Sequence, residues 1–403
     1  MASQPNFATV EPPPHVPADH IFDFDYFHPT GLAEGDIYTA LKRLHAWPDL
    51  FWTPRNGGHW VSTRADDIRW IRDDHAIFSH EEMAIPRGSI NFAMPPMTVD
   101  PPLHARYRAV LNPAFTPGKV RGLNDKTRAV AVELIEQLKP RGHCEFVNDF
   151  ARVMPVVVFL SIMDLPTDRR AEFVKWAGGY TTASDQETKD ASAAAVADYL
   201  RGIVDERHAN PGDDLLSRIA QWRDNPRFQD ESEVMGMAMI SFIGGLDTVA
   251  NLISFTCWHL ARDPGARQRL IDDPTLIPRA AEEYLRRHGV NMTSRLIKKA
   301  VTHKGVTLQP DDMILIIDGL ASLDERAWDD PWSIDYDRDA RAHDTFGNGA
   351  HKCPGEHLAR MEIIVFIEEW LKRIPEFRID PDKPAVTYSG PVIGMSQLGL
   401  RWD

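Results

Sequence analysis

The stretch TFGNGAHKCPGEHLAR (Thr345–Arg360) gathers one cysteine, two histidines and three glycines just ahead of a helical pattern. Gly347 and Gly349 permit positive φ and let the backbone approach something flat. Pro354 and Gly355 open a helix that runs toward Arg360. A helix N-terminus offers free N–H groups and the positive end of a dipole, and both favour a thiolate. Cys353 is therefore expected to be anionic. With no base beside it in the sequence, an anionic sulfur suits metal ligation, and Phe346 is expected to wall the loop. Three other readings stay open. A lone cysteine can be a small core residue. His351, Cys353 and His357 could be part of a structural zinc site, which needs a fourth ligand that no CxxC or HxxxH spacing supplies. A cysteine protease would need a family signature around Cys353, and none is present.

The rest of the chain narrows the setting. Its 403 residues carry no Gly/Ser linker, low-complexity run or fixed-period repeat, so one large domain over 1–403 is expected. The 59 acidic against 45 basic residues give a formal charge of −14, which disfavours nucleic acid and anionic membrane as partners. No apolar run reaches the roughly 18 residues of a membrane span, and the first residues read as no secretory signal. The three cysteines are an odd number and argue against a disulfide framework. The expectation is a monomer in the cytoplasm.

Periodicity predicts a mainly helical fold with a minor β component. The proline-rich first 35 residues read as an extended arm over the surface. A helix is expected at Asp36–Ala46, a strand at HWVSTR (His59–Arg64) and a helix at Ala65–Asp74. Five prolines make Ala84–Pro102 a long irregular loop, and such loops are often functional. Helices are then expected at 103–114, 119–138, 147–164, 167–178, 187–208, 212–222, 231–262, 264–272, 277–288 and 355–373. Strands are expected at 294–310, 313–319 and in a short C-terminal pair. The segment VMGMAMISFIGGLDTVANLISFTCW (Val234–Trp258) is apolar on nearly all sides, so 231–262 reads as one helix through the centre.

Three polar groupings stand out. Glu283 and Arg286 are three apart on a helix and share a face, which by itself fits a solvated pair. Gly244, Gly245, Asp247 and Thr248 are poor helix formers inside the central helix. Thr248 can bond back to the carbonyl four residues earlier and bend the helix, and Asp247 is a charge that needs a partner. His104 and Arg108, in DPPLHARYR (Asp100–Arg108), are four apart and could equally be a solvated helix face.

Taken together, Phe346-Gly347-x-Gly349-x-His351-x-Cys353-x-Gly355 resembles the haem-binding loop of the cytochrome P-450 monooxygenases. The likeness extends in order from about residue 100 to 360. FDFDYFHP, NGGHW, GGLDTV, EHLARMEIIV and EWLKRIPEF resemble the bacterial camphor-hydroxylase branch over nearly the whole chain. The resemblance implies the cytochrome P-450 fold, with the long central helix over haem b and Cys353 as the axial thiolate on iron. It implies haem-propionate contacts from His104, Arg108, Arg295 and His351, with Phe346 and Gly347 in the loop. Glu283 and Arg286, joined by Arg338 from IDYDRDA, would hold the haem-side core. Gly244 would leave room for dioxygen, and Asp247 and Thr248 would pass protons toward it. The pocket would be lined by Phe92, Ile240, Ile243, Gly244, Asn291, Thr293 and Val392.

The resemblance also shows departures. A camphor-binding tyrosine is replaced by Phe92, an aspartate by Thr293 and a valine by Asn291. Phenylalanine cannot donate a hydrogen bond to a ketone, and a lost bond costs discrimination. The expected substrate is therefore a small apolar terpenoid-like molecule, ionone-type or otherwise alicyclic, and camphor is disfavoured. No G-x-G-x-x-G follows a strand, so the expected electron donor is a separate [2Fe-2S] ferredoxin with its NAD(P)H-dependent reductase. Arg106, Arg108, Arg341 and Lys352 would form its docking face. Two alternatives are a haem-binding sensor or carrier without turnover, and a peroxide-driven haem enzyme. The Asp247–Thr248 pair argues against both.

Overall fold

A computed structural model describes residues 9–33, 36–89, 93–182 and 186–403. The expected mainly helical architecture with small sheets is what it contains. The centre is occupied by the segment from Glu231 to Arg262, but not as one helix. It divides into Glu231–Gly244 and Asp247–Arg262, with a non-helical step at Gly245 and Leu246. The two glycines weaken the helix there. Thr248 Oγ1 donates to Gly244 O at 3.1 Å and draws that carbonyl off the ladder. The Phe159 ring lies against Gly245, where a Cβ would come within 3.3 Å of it. The first half is capped by Asp230, whose carboxylate accepts from Ser232 N at 2.8 Å. The second half is buried almost throughout and packs against Val153–Ile162 and Glu356–Arg373.

Beside this core lies a five-stranded sheet. Its order is Leu50–Thr53, His59–Ser62, Met313–Ile317, Met292–Ile297, Phe78–Ser79. Only the His59–Ser62 and Met313–Ile317 pair is parallel. Alternation along Met292–Ile297 buries Met292 and Ser294 on one side and leaves Asn291 and Thr293 half-buried on the other. Asn291 also bridges to Val392, which ties this strand to the C-terminal hairpin of Val386–Tyr388 and Gly394–Gln397.

Several expectations shift. Of the expected arm, residues 1–8 and 34–35 lie outside the described residues; 9–33 is largely extended, with a 3-10 turn at Ala18–His20, and does not lie only over the surface. FDFDYF alternates, so Phe24 and Tyr26 are buried while Asp23 stays out, and Tyr26 Oη donates to Met292 O at 3.4 Å. The strand Leu50–Thr53 was not legible, because all four residues are buried and no alternation remains. The segment expected as a helix over 147–164 begins as a π-helical turn, Val147–Ala151, before Val153–Ile162.

Candidate active site

The cysteine loop has the geometry its glycines imply. Gly347 and Gly349 both have φ +68°. A Cβ at Gly349 would sit 2.7 Å from Asp73 Oδ1, so the close approach excludes a side chain there. Cys353 N donates to Phe346 O at 2.9 Å, which closes the loop on itself. Phe346 is buried, and the Arg360 guanidinium lies over its ring at 4.7 Å. Glu356–Arg373 follows, with Gly355 as its N-cap.

The thiol itself differs from expectation. Burial pushes its pKa up, and this outweighs the Gly355 N–H and the Arg108 charge, which pull it down. A bare helix N-terminus does not make this cysteine anionic. A bound cation would, because metal coordination deprotonates a thiol outright. The zinc reading finds no support, since no cluster of three His, Cys, Asp or Glu residues that could hold a metal exists among the described residues.

Two arginines and three neutral imidazoles converge beside the loop, and none of them is ion-paired to a carboxylate among the described residues. His351 stacks on His80 at 3.4 Å between ring centroids, and the His104 ring lies tilted against it at 4.1 Å. All three histidines have a buried Nε2 without a partner, and so does Arg295 at Nε. Arg295 Nη1 reaches only Ser294 O at 2.7 Å and Thr293 Oγ1 at 3.3 Å. Burial and the neighbouring cations hold His104 down at about 4 and His351 at about 2. Burial and Arg72 lower Arg295 to about 9. Arg108 Nη2 donates to Lys352 O at 2.7 Å. Unpartnered buried nitrogens are rare in proteins; Arg295 Nε is a charged donor, and His104 and His351 can present Nε2–H in one tautomer, so together they suit an anionic acceptor. The two propionates of a haem supply that charge. These residues therefore fit the group: Cys353 for the iron, and His104, Arg108, Arg295 and His351 for the carboxylates.

His80 was missed. It sits at the end of Phe78–Ser79, and strand pairing with Leu296 and Ile297 brings it beside Arg295. Asp100 fixes it by accepting from Ser79 Oγ at 2.5 Å and His80 N at 2.8 Å. No spacing in the sequence marks this contact.

On the opposite wall, Ile240, Ile243 and Thr248 are half-buried and Gly244 is exposed, although the helix around them is buried. They share one helical face. A Cβ at Gly244 would meet nothing nearer than Ile240 Cδ1 at 3.9 Å, so this face borders open space. Asn291, Thr293 and Val392 are half-buried as well. Phe92 lies outside the described residues. Asp247 is buried, and burial raises its pKa against the opposing pull of Arg152, Tyr388 and Asn251. Glu283 and Arg286 are fully buried and joined by bonds of 2.7 and 2.8 Å, and Arg338 Nε reaches Glu283 Oε1 at 3.2 Å. Arg286 also donates to Ser322 O, Pro331 O and Ser333 O. That pins the segment leading into the cysteine loop.

A loop-borne, half-buried cysteine, a wall of unpartnered arginine and histidine nitrogens and a broken helix facing open space together define a haem-thiolate protein. The sequence model of the cytochrome P450 family matches residues 183–399. The chain is 33% identical over 400 residues to a probable cytochrome P450 127A1 of Sinorhizobium fredii, covering 97% of this chain and 96% of that one. It is 29% identical to the mycinamicin IV hydroxylase/epoxidase of Micromonospora griseorubida, covering 85% of each. The crystal structure of CYP101C1 superposes with a TM-score of 0.90 at 36% identity, and that of CYP101J2 with 0.89 at 35%. Both cover 98% of this chain and 100% of theirs. The chain belongs to the cytochrome P450 family. It is a monooxygenase whose cofactor is haem b, close to the CYP101 proteins.

Proposed function

We propose that this monooxygenase hydroxylates a small apolar terpenoid-like substrate, ionone-type or otherwise alicyclic, using electrons from a [2Fe-2S] ferredoxin and its NAD(P)H-dependent reductase. The whole 403-residue chain acts as one catalytic unit. The net reaction takes a C–H bond, dioxygen, two electrons and two protons to an alcohol and water. Bound haem supplies the activation of dioxygen and the oxygen insertion. The protein supplies the rest. Cys353 holds the iron, and His104, Arg108, Arg295 and His351 hold the propionates. Glu283, Arg286 and Arg338 fix the loop. Asp247 takes protons from the solvent side and hands them toward Thr248. The observation that carries this reading is the helix step itself. Thr248 Oγ1 is bonded to Gly244 O at 3.1 Å beside open space, with a buried carboxyl as the preceding residue. A sensor or carrier needs no such arrangement.

The substrate reading rests on the pocket wall. Ile240, Ile243 and Val392 are apolar, and Asn291 and Thr293 are the polar exceptions; in the sequence, the family resemblance puts Phe92 where a hydrogen-bonding tyrosine would stand. The ferredoxin reading rests on the absence of a dinucleotide fingerprint and on a basic face. That face is narrower than the sequence implies. Arg108 is half-buried and commits its Nη2 to Lys352 O. Arg341 and Lys352 are exposed and lean on Asp339 and Glu356 at 2.7 and 2.8 Å.

The test is optical. Reduced protein under carbon monoxide is expected to show the strongly red-shifted Soret band of thiolate ligation, and Cys353→Ser to lose it. The ferric protein is then titrated with β-ionone and with camphor. A blue shift with β-ionone alone supports the substrate reading. A full shift with camphor and none with β-ionone overturns it.

A further inference from the structure

The Asp247 carboxyl is held by residues that the sequence reading does not include. Tyr388, on the C-terminal hairpin, donates from Oη to Asp247 Oδ2 at 3.4 Å. Asn251 Nδ2 donates to the same Tyr388 oxygen at 3.3 Å, and Asn251 Oδ1 accepts from Met395 N at 3.0 Å on the facing strand. The hydroxyl is therefore oriented from behind, with its proton directed at the carboxylate. Space for the ring is made by Gly394, opposite Tyr388 in the hairpin register, where a Cβ would lie 2.1 Å from Tyr388 Cζ. Burial raises the Tyr388 pKa, so the phenol stays protonated and can only donate to Asp247. Arg152 adds its charge from a third element. Its Nη1 is used by Asn148 Oδ1 at 2.7 Å, while its Nη2 is buried without a partner. Asp247 thus faces a hydroxyl that is itself fixed, and Tyr388 is half-buried, between the carboxyl and the outer surface of the hairpin.

We infer that Tyr388 is the positioning residue of proton delivery: its hydroxyl, braced by Asn251, sets the orientation of the Asp247 carboxyl beside Thr248. This rests on the reading of Asp247 and Thr248 as the proton-delivery pair. A carboxyl free to rotate in a buried site would spend part of its time turned from Thr248. Dioxygen that takes up two electrons and two protons without cleavage of its O–O bond would then leave as hydrogen peroxide, and the two electrons would be lost to the alcohol-forming reaction. The hairpin, which reaches the site from the far end of the chain, would thereby govern how fully reducing equivalents enter the alcohol product.

The experiment uses full-length haem-loaded protein as wild type, Tyr388→Phe and Asp247→Asn. The infrared band of the Asp247 carboxyl is assigned by its loss in Asp247→Asn. In Tyr388→Phe that band is expected to shift, as it loses its donor. With ferredoxin, reductase and β-ionone present, the peroxide released per NADH consumed is expected to rise severalfold in Tyr388→Phe. The carbon monoxide Soret band and the melting temperature should stay near the wild-type values. An unshifted band overturns the contact, and a shifted band with unchanged peroxide release overturns the positioning role. Unchanged peroxide release in Asp247→Asn as well overturns the proton-pair reading on which the inference rests.

Discussion

Glu362 lies in the helix that follows Cys353, fully buried, with no hydrogen-bond partner for Oε2. Burial alone pushes its carboxyl up to about 8. A carboxyl raised in the folded state favours folding most fully below its unfolded value, and that stability is lost as pH rises through the folded value. The loss is on the order of 1 kcal/mol per pH unit over that window. Glu362→Gln is expected to remove this slope. Unfolding by denaturant at several pH values should give the variant a growing advantage from the ordinary carboxylate range up to pH ~8. Equal slopes in the two proteins would mean that the ionised carboxylate accepts from a donor or a water at its side. Glu283 is the opposite case at the same scale. It too is fully buried, but its Oε1 accepts from Arg286, Arg338 and Asp335 N, and its Oε2 from Arg286. Glu283→Ala would strand the Arg286 guanidinium, at a cost of roughly 3–5 kcal/mol read from the denaturation midpoint.

At the scale of elements, the local motifs were the legible part. Cys353 and its glycines, the Glu283–Arg286 spacing and the Thr248 back-bond are short-range patterns, and each has the geometry its residue types dictate. What could not be read were contacts created by pairing distant elements. His80 meets His351 only because Phe78–Ser79 joins the sheet edge. Tyr388 meets Asp247 across 141 residues only because the C-terminal hairpin folds back on the central helix. The division of that helix was half-legible. Gly244, Gly245 and Thr248 marked a bend, but continuous apolarity still argued for one helix. The hairpin offers its own test. Gly394→Ala changes no hydrogen-bonding group, yet its methyl must push the Tyr388 ring aside. It is expected to raise peroxide release as Tyr388→Phe does. Gly390→Ala, where a Cβ would meet only Val392 O at 4.0 Å, should not.

For the molecule as a whole, the charge of −14 opposes association with an acidic partner, so docking depends on a local exception. Lys352 and Arg341 supply exposed charge near the cysteine loop. Long-range attraction of this kind fades once the Debye length falls to about 10 Å or less. Ferredoxin-driven reduction is expected to slow steeply between low salt and ~0.3 M salt, while reduction by dithionite changes little. A flat salt response would move the docking face elsewhere.

The acceptor-less wall of His80, His104, His351 and Arg295 has a consequence for how the protein is made and kept. Before the cofactor arrives, the chain must gather these buried nitrogens with Arg295 Nε and the three imidazole Nε2 atoms left unpartnered. Each unmet group costs on the order of 1–3 kcal/mol, a large share of the total stability of an ordinary domain. The cofactor is thus a ligand of the folded state, and mass action ties the folded fraction to its supply.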